Sequence, residues 1–265
     1  MTTFGYIVLT YICLLLAPTE ESHESLEQLV EQASAEQSQQ RAAALLKIGE
    51  NLGSYKGTDE KLASQTLIRA TADGSTIVSS SAKFRMAENA DLVNQYLGSF
   101  LKSNEFRTFA QGCEAIKSIG PVARSWLPEL EKHLDSTDQY YQLASLHALA
   151  VLDGKDALPT LDKVIAALDS KDFNVQLSAC RVISKIGPRA KKAGPRLVKL
   201  HEEGIASARS WASIALGAIG PHEEYDVVEL LEAELDEFYL IYRERALEGL
   251  AHLGEKAKPA IPKIE

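Results

Sequence analysis

The sequence predicts an all-α solenoid, a right-handed superhelix of stacked antiparallel helix pairs, and three observations predict it. Stretches of thirteen residues align without gaps at spacings of 33, 34, 33 and 34 residues, and they end at Gly120, Asp153, Gly187, Gly220 and Gly254. Each stretch has the apolar spacing of a helix, and a further helical stretch separates consecutive copies. A unit of about 33 residues is too small to bury its own apolar face, so neighbouring units must bury one another.

The recurring stretch is predicted to be the second helix of each pair, ending at positions 120, 153, 187, 220 and 254. Every copy has an apolar residue one and four positions before its last residue, as Ile119 and Ile116 illustrate. Five positions before the end the residue is small or β-branched, for example Ala115, which lets a neighbouring helix come close. The terminal Gly suits a left-handed C-terminal cap. Residues 37–49 match the same template and predict a helix that closes at Gly49.

The first helix of each pair is predicted within segments such as 127–136 and 158–170. Proline follows the preceding Gly by eight residues in three units, at Pro128, Pro195 and Pro262. This position suits proline in the first turn of a helix. Asp-Ser-x-Asp occurs at 135–138 and again at 169–172 and favours a turn followed by an N-cap.

The regularly spaced stretches are absent between 50 and 104, where the pattern indicates a degenerate version of the same architecture. We interpret 18–104 as degenerate helical repeats and 105–265 as regular repeats. Within the first of these, 71–81 is predicted to be a loop because it is rich in Ser, Thr, Asp and Gly.

The N-terminal segment is predicted to be a secretory signal peptide, 1–17. Residues 6–17 are apolar and uncharged, and as a helix they span about 18 Å, short of the roughly 30 Å of a membrane core. We therefore expect no membrane span in the mature chain, and export to the periplasm or the extracellular space if the signal is real. A cytoplasmic protein with a buried or partner-docking first helix, or a wrongly assigned start, is the alternative.

Composition argues against two classes of protein. Lys and Arg number 28 against 37 Asp and Glu, and the net charge of -9 disfavours a nucleic acid as partner. The sequence has three Cys and no Cys-x-x-Cys motif, so neither a disulfide framework nor a structural zinc site is indicated. Cys113 and Cys180 occupy the same position of the repeat, seven residues before the end of the stretch, in units two repeats apart. Two repeats separate them by about 20 Å, so we predict that they form no disulfide and are packing residues.

The repeat resembles a known family. Gly-Pro followed by Pro eight residues later, an Asp-rich turn, and the ending Ala-Leu-Gly-x-Ile-Gly at 215–220 resemble HEAT repeats, specifically the bacterial type called PBS-lyase HEAT-like. The resemblance covers 105–265, about 60% of the chain. It implies a helical solenoid whose second helices line a concave face.

The chain departs from this family at two columns. Gln142 and Gln176 stand where Arg209 and Arg243 match the usual Arg of the family, and Asp153 replaces the usual Gly. These departures affect the geometry that is expected locally, and they leave the fold class unchanged.

The resemblance also implies where two kinds of enzyme would carry their chemistry. Deoxyhypusine hydroxylase, which this chain resembles in architecture, binds two irons through His-Glu pairs ten and nine residues before the end of the second helix. The residues at those positions here are Ala110-Gln111, Leu143-Ala144, Leu177-Ser178, Ser210-Trp211 and Glu244-Arg245. The enzymes that attach bilin pigments are similar in repeat pattern only. We therefore expect no catalytic residue, metal ligand or cofactor, and we keep an accessory or lyase-type protein of pigment attachment as the alternative.

The surface of the second helices is the predicted binding site. The outward positions are expected two, six and nine residues before the end of each helix. Trp211 and Ile214 occupy two of them with basic residues nearby, which resembles an interface hot spot. The candidate partner-binding residues are Trp211, Ile214, Arg181, Lys185, Arg209, Arg245, His147 and Glu248. The alternative is that Trp211 packs against an adjacent repeat.

Charge is sorted along the chain. Residues 181–199 contain seven Lys or Arg and no acid, whereas 223–237 contain eight Asp or Glu and no base. Such strips could attract a ligand of mixed sign or hold adjacent repeats together. The predicted function is a non-catalytic scaffold that binds a protein through the concave face. A fragment of a longer array is a further alternative, and the sequence leaves the oligomeric state open.

Overall fold

The computed structural model describes residues 24–264, and the predicted signal peptide, 1–17, lies outside this part of the chain. None of the helices in 24–264 is long and apolar enough to cross a membrane. The described chain divides into two compact units, with the division in sequence between Val122 and Ala123. The two units are defined by how compactly their residues pack together. The boundary at 104/105 was predicted from the sequence pattern of the repeats, and it stays a prediction.

The first unit, described from residue 24, consists of helices joined by short turns. Its helices are α1 (Leu26–Gln32), α2 (Ser38–Glu50), α3 (Thr58–Ala70), α4 (Thr76–Glu88), α5 (Ala90–Tyr96), α6 (Gly98–Leu101) and α7 (Phe106–Ile119). The helix α4 packs between α2 and α7. The helices of this unit therefore stack by helix-on-helix contact.

Two expectations for this unit are corrected. The predicted loop 71–81 is wrong from residue 76 onward, because α4 begins there. The serine hydroxyls fit the helix by bonding to preceding carbonyls, as Ser81 does to Ile77 at 2.8 Å. Gly49 does not end α2, which continues to Glu50. It is needed for close packing instead, since a Cβ there would overlap the side chain of Arg85.

The second unit repeats a helix pair four times and begins a fifth. Its helices are α8 (Leu127–Leu134), α9 (Gln139–Leu149), α10 (Gly154–Ala157), α11 (Leu161–Ala167), α12 (Phe173–Ile186), α13 (Gly194–Glu203), α14 (Ala206–Ile219), α15 (Val227–Glu234), α16 (Leu240–Leu253) and α17 (Ile261–Ile264). The second helices pack in the order α9, α12, α14 and α16. Stacked helix pairs of this kind form an all-α solenoid, as the repeat ladder predicts.

Glycine ends the second helices for a conformational reason. At the end of α12, Gly187 has φ 65° and ψ -139°, a region that residues with a Cβ avoid and that differs from the expected left-handed helical cap. Gly120, Gly220 and Gly254 also have positive φ. The helix that lacks this Gly ends early, because α9 stops at Leu149, and Asp153 has φ -61°.

The predicted first-turn residues are confirmed. Pro128 and Pro195 lie in the first turns of α8 and α13. Asp138 caps α9, and Asp172 caps α12 by accepting hydrogen bonds from backbone N–H groups. These residues fix the point at which each helix of a pair begins.

Gln142 and Gln176 connect the two helices of their pairs by hydrogen bonds. The amide of Gln142 donates to the carbonyl of Leu134 at 3.1 Å, and that of Gln176 donates to Ser170 at 2.9 Å. Arg243 reaches the carbonyl of Glu237 in the same way. The shorter Gln side chain therefore performs the contact that Arg makes in the last pair.

The second helices approach closely through small residues. A Cβ placed on Gly217 of α14 would overlap the backbone of Gly249 in α16. Ala148 and Ala215, at the same column as Gly249, are fully buried. The prediction that a small residue five positions before the end admits a neighbouring helix is confirmed at these positions.

Candidate functional site

The centre of the predicted surface is Trp211 on α14, which lies between two arginines. The guanidinium carbon of Arg181 on α12 is 5.4 Å from the centroid of the indole, and that of Arg245 on α16 is 4.7 Å from it. Trp211 is half-buried. A guanidinium within about 6 Å of an aromatic ring is attracted to its face by about 0.5–1 kcal/mol at exposed sites. Three successive second helices are thus joined by one aromatic residue.

Two further residues border this centre. Lys185 lies one turn beyond Arg181, is exposed, and makes no ion pair within 24–264. Glu248 accepts from Arg245 at 2.7 Å. We call Arg181, Lys185, Trp211, Arg245 and Glu248 the Trp211 site. It contains three cations and one anion, with two of the cations against the indole, and therefore favours a ligand that carries a carboxylate next to an apolar or aromatic group.

The structure corrects the expected position of Ile214. Its side chain is 2% exposed, because α14 turns Ser210, Ser213, Ile214 and Gly217 into the stack, and all four are buried. Close packing at Gly217 requires this orientation. Ile214 is therefore part of the core and is unavailable to a partner.

Arg209 is also placed outside the Trp211 site. Its guanidinium donates to Glu234 at 3.0 Å and to Glu237 at 2.9 Å, and it lies 5.4 Å from the ring centroid of Tyr242. These contacts connect α14 with α15 and with the start of α16. His147 lies on α9, which packs against α12, and it is not brought to Trp211.

A buried carboxylate is the feature that the sequence did not reveal. Glu234 on α15 has no exposed surface. Its oxygens lie 3.2 Å from Nε2 of His201, 3.0 Å from Nε of Arg209 and 2.6 Å from Oγ of Ser213. We call these four residues the Glu234 cluster. The signal was present in the spacing, because Glu234 continues the buried stripe of Val227 and Leu231.

The ionisation of Glu234 follows from these neighbours. Burial acts to raise the pKa of this carboxyl, but its contacts with His201, Ser213 and Arg209 outweigh burial and hold the pKa below its ordinary value. The carboxylate is charged in the folded protein at neutral pH. The cluster therefore joins α14 and α15 by an ion pair, and His201 brings α13 against the same carboxylate.

The charged strips are used in part to join repeats. In the basic strip, Lys192 pairs with Asp162 and Arg196 pairs with Asp169, which link the third helix pair to α11 and the turn after it. Arg181 and Lys185 make no such pair within the described chain. The sequence left open whether the charged strips attract a ligand or hold adjacent repeats together. Lys192 and Arg196, which lie at the first helix of their pair, hold adjacent repeats together.

The described residues contain no cluster of three His, Cys, Asp or Glu side chains placed to hold a metal ion. Cys113 and Cys180 are free and buried. Burial raises the pKa of both thiols, so neither is an activated nucleophile at neutral pH. Between 24 and 264 there is thus neither a metal-ligand cluster nor an activated thiol.

No protein-family model matches the sequence, and no curated protein matches it. Among solved structures, an engineered protein of the Northeast Structural Genomics Consortium superposes with a TM-score of 0.52 and 21% identity, covering 90% of this chain and 70% of that one. A second engineered protein of the consortium has a TM-score of 0.50 and 18% identity, covering 87% and 99%. A computationally designed armadillo repeat protein for modular peptide recognition aligns with a TM-score of 0.47 and 19% identity, over 73% and 99%. At these identities the likeness to the two engineered proteins of the consortium is one of fold alone.

Proposed function

We propose that this protein is a non-catalytic scaffold that binds a protein partner through the face of its second helices, with the Trp211 site at the centre of the contact. The observation that carries the proposal is the placement of half-buried Trp211 between Arg181 and Arg245. Tryptophan and arginine are the residue types most enriched where binding energy concentrates in protein interfaces.

The site is preorganised, which favours binding. Stacking on the indole fixes both guanidinium groups before a ligand arrives, while many of their N–H donors stay available. Little conformational entropy is then lost on association. The excess of cations over anions at the site favours a partner segment that contains Asp or Glu.

Site-specific cross-linking tests this proposal in full-length protein. A photoreactive amino acid replaces Lys185 at the site, or Lys191 on the turn that follows α12 as a matched control, and each protein is irradiated in an extract of the source cells. We expect discrete adducts from position 185 that an excess of unlabelled wild-type protein removes by competition. The double variant Trp211→Ala with Arg181→Glu should not compete, whereas Arg189→Glu should.

The proposal fails if the double variant competes as well as the wild type, or if positions 185 and 191 give the same adducts. Circular dichroism of each variant shows whether the helices remain intact, so that a loss of competition is assigned to the site.

We further propose that 105–265 belongs to the PBS-lyase HEAT-like type and that 1–17 is a cleaved signal peptide. The first proposal is supported by the Gly-Pro, Asp-cap and Pro positions of the repeat. The second is supported by the uncharged apolar segment 6–17. The N-terminal sequence of the protein purified from its source tests export, because an intact Met1 contradicts cleavage.

A further inference from the structure

A pocket in the first unit lies between α1, the end of α3 and the start of α7, and its volume is about 240 Å³. The helix α3 contacts both α1 and α7, so helices of a single unit form the pocket. Its wall combines apolar side chains with charged ones. The apolar residues include Val30, Ala33 and Ala70, and the charged residues are Arg69, Asp73 and Arg107. We call it the Arg69 pocket.

The carboxylate in this wall is already paired. Asp73 accepts from Nε of Arg41 at 2.9 Å and from Nη2 of the same guanidinium at 3.0 Å. The hydrogen bonds from Arg41 hold the pKa of Asp73 below its ordinary value, so the carboxylate is charged at neutral pH. Its charge is therefore balanced by Arg41 and is not available to balance the two arginines of the pocket.

The two arginines of the pocket lack such a partner. Arg69 and Arg107 are exposed and make no ion pair within the part of the chain that the structure describes. The acid beside them in sequence, Glu105, accepts from Oγ1 of Thr108 at 2.7 Å. In a chain with a net charge of -9, two unbalanced positive charges thus lie at one pocket.

Both arginines lie on elements that are held in place. The guanidinium carbon of Arg69 is 6.0 Å from the ring centroid of Phe100, which is 3% exposed. The backbone carbonyl of Arg69 accepts from the amide of Gln111 on α7 at 3.2 Å. Arg107 lies in the first turn of α7, where no side chain caps the helix. The free N–H groups of such a turn add to the attraction of an anion near Arg107.

We propose that the Arg69 pocket binds a small organic phosphate monoester. Arg69 and Arg107 donate to the phosphate oxygens, because planar guanidinium groups match phosphate with paired hydrogen bonds. A monoester has a charge of about -1.5 to -2 at pH 7, which two unpaired arginines balance. The apolar side of the wall contacts the carbon chain. The pocket has the volume of about eight water molecules, so it admits the phosphate and only a few carbon atoms.

Butyl phosphate is the probe that tests the proposal. Isothermal titration calorimetry with full-length protein at low salt and pH 8 compares it with inorganic phosphate and with butyrate. We expect butyl phosphate to bind at one site, at least threefold more tightly than inorganic phosphate, which lacks the carbon chain. We expect it to bind at least tenfold more tightly than butyrate, which carries a single charge.

Variants locate the binding on the protein. Arg69→Gln with Arg107→Gln should weaken the binding of butyl phosphate at least tenfold. The matched control is Arg124→Gln with Arg189→Gln, which removes two exposed arginines of the second unit and should change the binding less than twofold. The Trp211 site also belongs to the second unit, so the two proposals fail independently.

A further variant separates the apolar side of the pocket from the charged side. Ala70→Leu places a larger side chain in the wall and keeps both arginines. It should weaken the binding of butyl phosphate at least fivefold and that of inorganic phosphate less than twofold. Circular dichroism of each variant shows whether the helices remain intact.

Three results would overturn the proposal. The first is the absence of saturable binding of butyl phosphate at millimolar concentration. The second is equal binding by the wild type and by Arg69→Gln with Arg107→Gln, since the phosphate would then bind elsewhere. The third is equal binding of butyl phosphate and either inorganic phosphate or butyrate, because the pocket would then recognise no organic phosphate as such.

Discussion

Arg209 and Arg245 lie on successive second helices and belong to the same predicted surface, but their environments are opposite. Arg209 donates to Glu234, which has no exposed surface, whereas Arg245 stacks on half-buried Trp211 and pairs with Glu248, which is 45% exposed. A buried carboxylate requires a fixed cation, while an indole face leaves guanidinium N–H groups available. The neighbour, more than the residue type, decides whether an arginine stabilises the array or can meet a ligand.

Removal of the Arg209 side chain is the strongest test of this contrast. Arg209→Ala leaves Glu234 charged and buried with one cation fewer, so we expect the free energy of unfolding to fall by about 3 kcal/mol. Arg245→Ala should lower it by less than about 1 kcal/mol, because its contacts are near the surface. Urea denaturation at pH 7 measures both. Equal losses in the two variants would contradict the distinction.

Acidification provides a second test. The pKa of Glu234 is held below the ordinary value that the unfolded chain has, so the folded protein binds fewer protons than the unfolded chain as the pH falls. The stability that Glu234 provides is complete above the ordinary value of about 4.3 and is lost as the pH falls through the lower folded value. The difference in free energy of unfolding between wild type and Glu234→Gln should therefore shrink between pH 6 and pH 3. A constant difference would show that the carboxylate contributes nothing as a charge.

A smaller loss of stability is expected at Trp211. Trp211→Ala removes two cation–π contacts, which together contribute about 1–2 kcal/mol to the free energy of unfolding. Trp211→Phe should recover roughly half of that loss, because phenylalanine offers a weaker ring face. Thermal denaturation followed by circular dichroism compares the three proteins. A loss above 4 kcal/mol for Trp211→Ala would mean that the indole is a core residue rather than a surface one.

Quenching of Trp211 fluorescence is the mildest test. The chain has two tryptophans, so Trp126→Phe leaves Trp211 as the only indole. Because Arg181 and Arg245 lie against it, iodide should quench its emission more strongly than caesium, and Arg181→Glu should reduce the effect of iodide. Equal quenching by the two ions would argue against a cationic environment.

The order and the ends of the helices in the regular repeats could be predicted from the sequence because local chemistry determines them. A helix ends where Gly187 adopts a φ closed to other residues, and it begins where Asp172 caps its N-terminus. These signals act within a few residues of one another. The same reasoning grouped Trp211, Arg181 and Arg245, which occupy the same or neighbouring positions in successive repeats and whose side chains are in contact. Their part in binding stays a prediction.

The remaining features depend on contacts between residues far apart in sequence. The burial of Ile214 follows from the rotation of α14 against α16, which Gly217 and Gly249 permit together. The Glu234 cluster joins residues 21 to 33 positions apart. Neither a column of outward positions nor a local charge count contains this information.

The contact between Gly217 and Gly249 has a consequence for recognition at a distance. Where two helices touch through bare backbone, no side chain can change its rotamer to adjust their separation. The interval between these two repeats is then set by atomic radii alone, and so is the interval between the groups that they present to solvent. The two glycines therefore limit which spacing of groups in an extended ligand can be matched at Trp211 on α14 and Arg245 on α16 together.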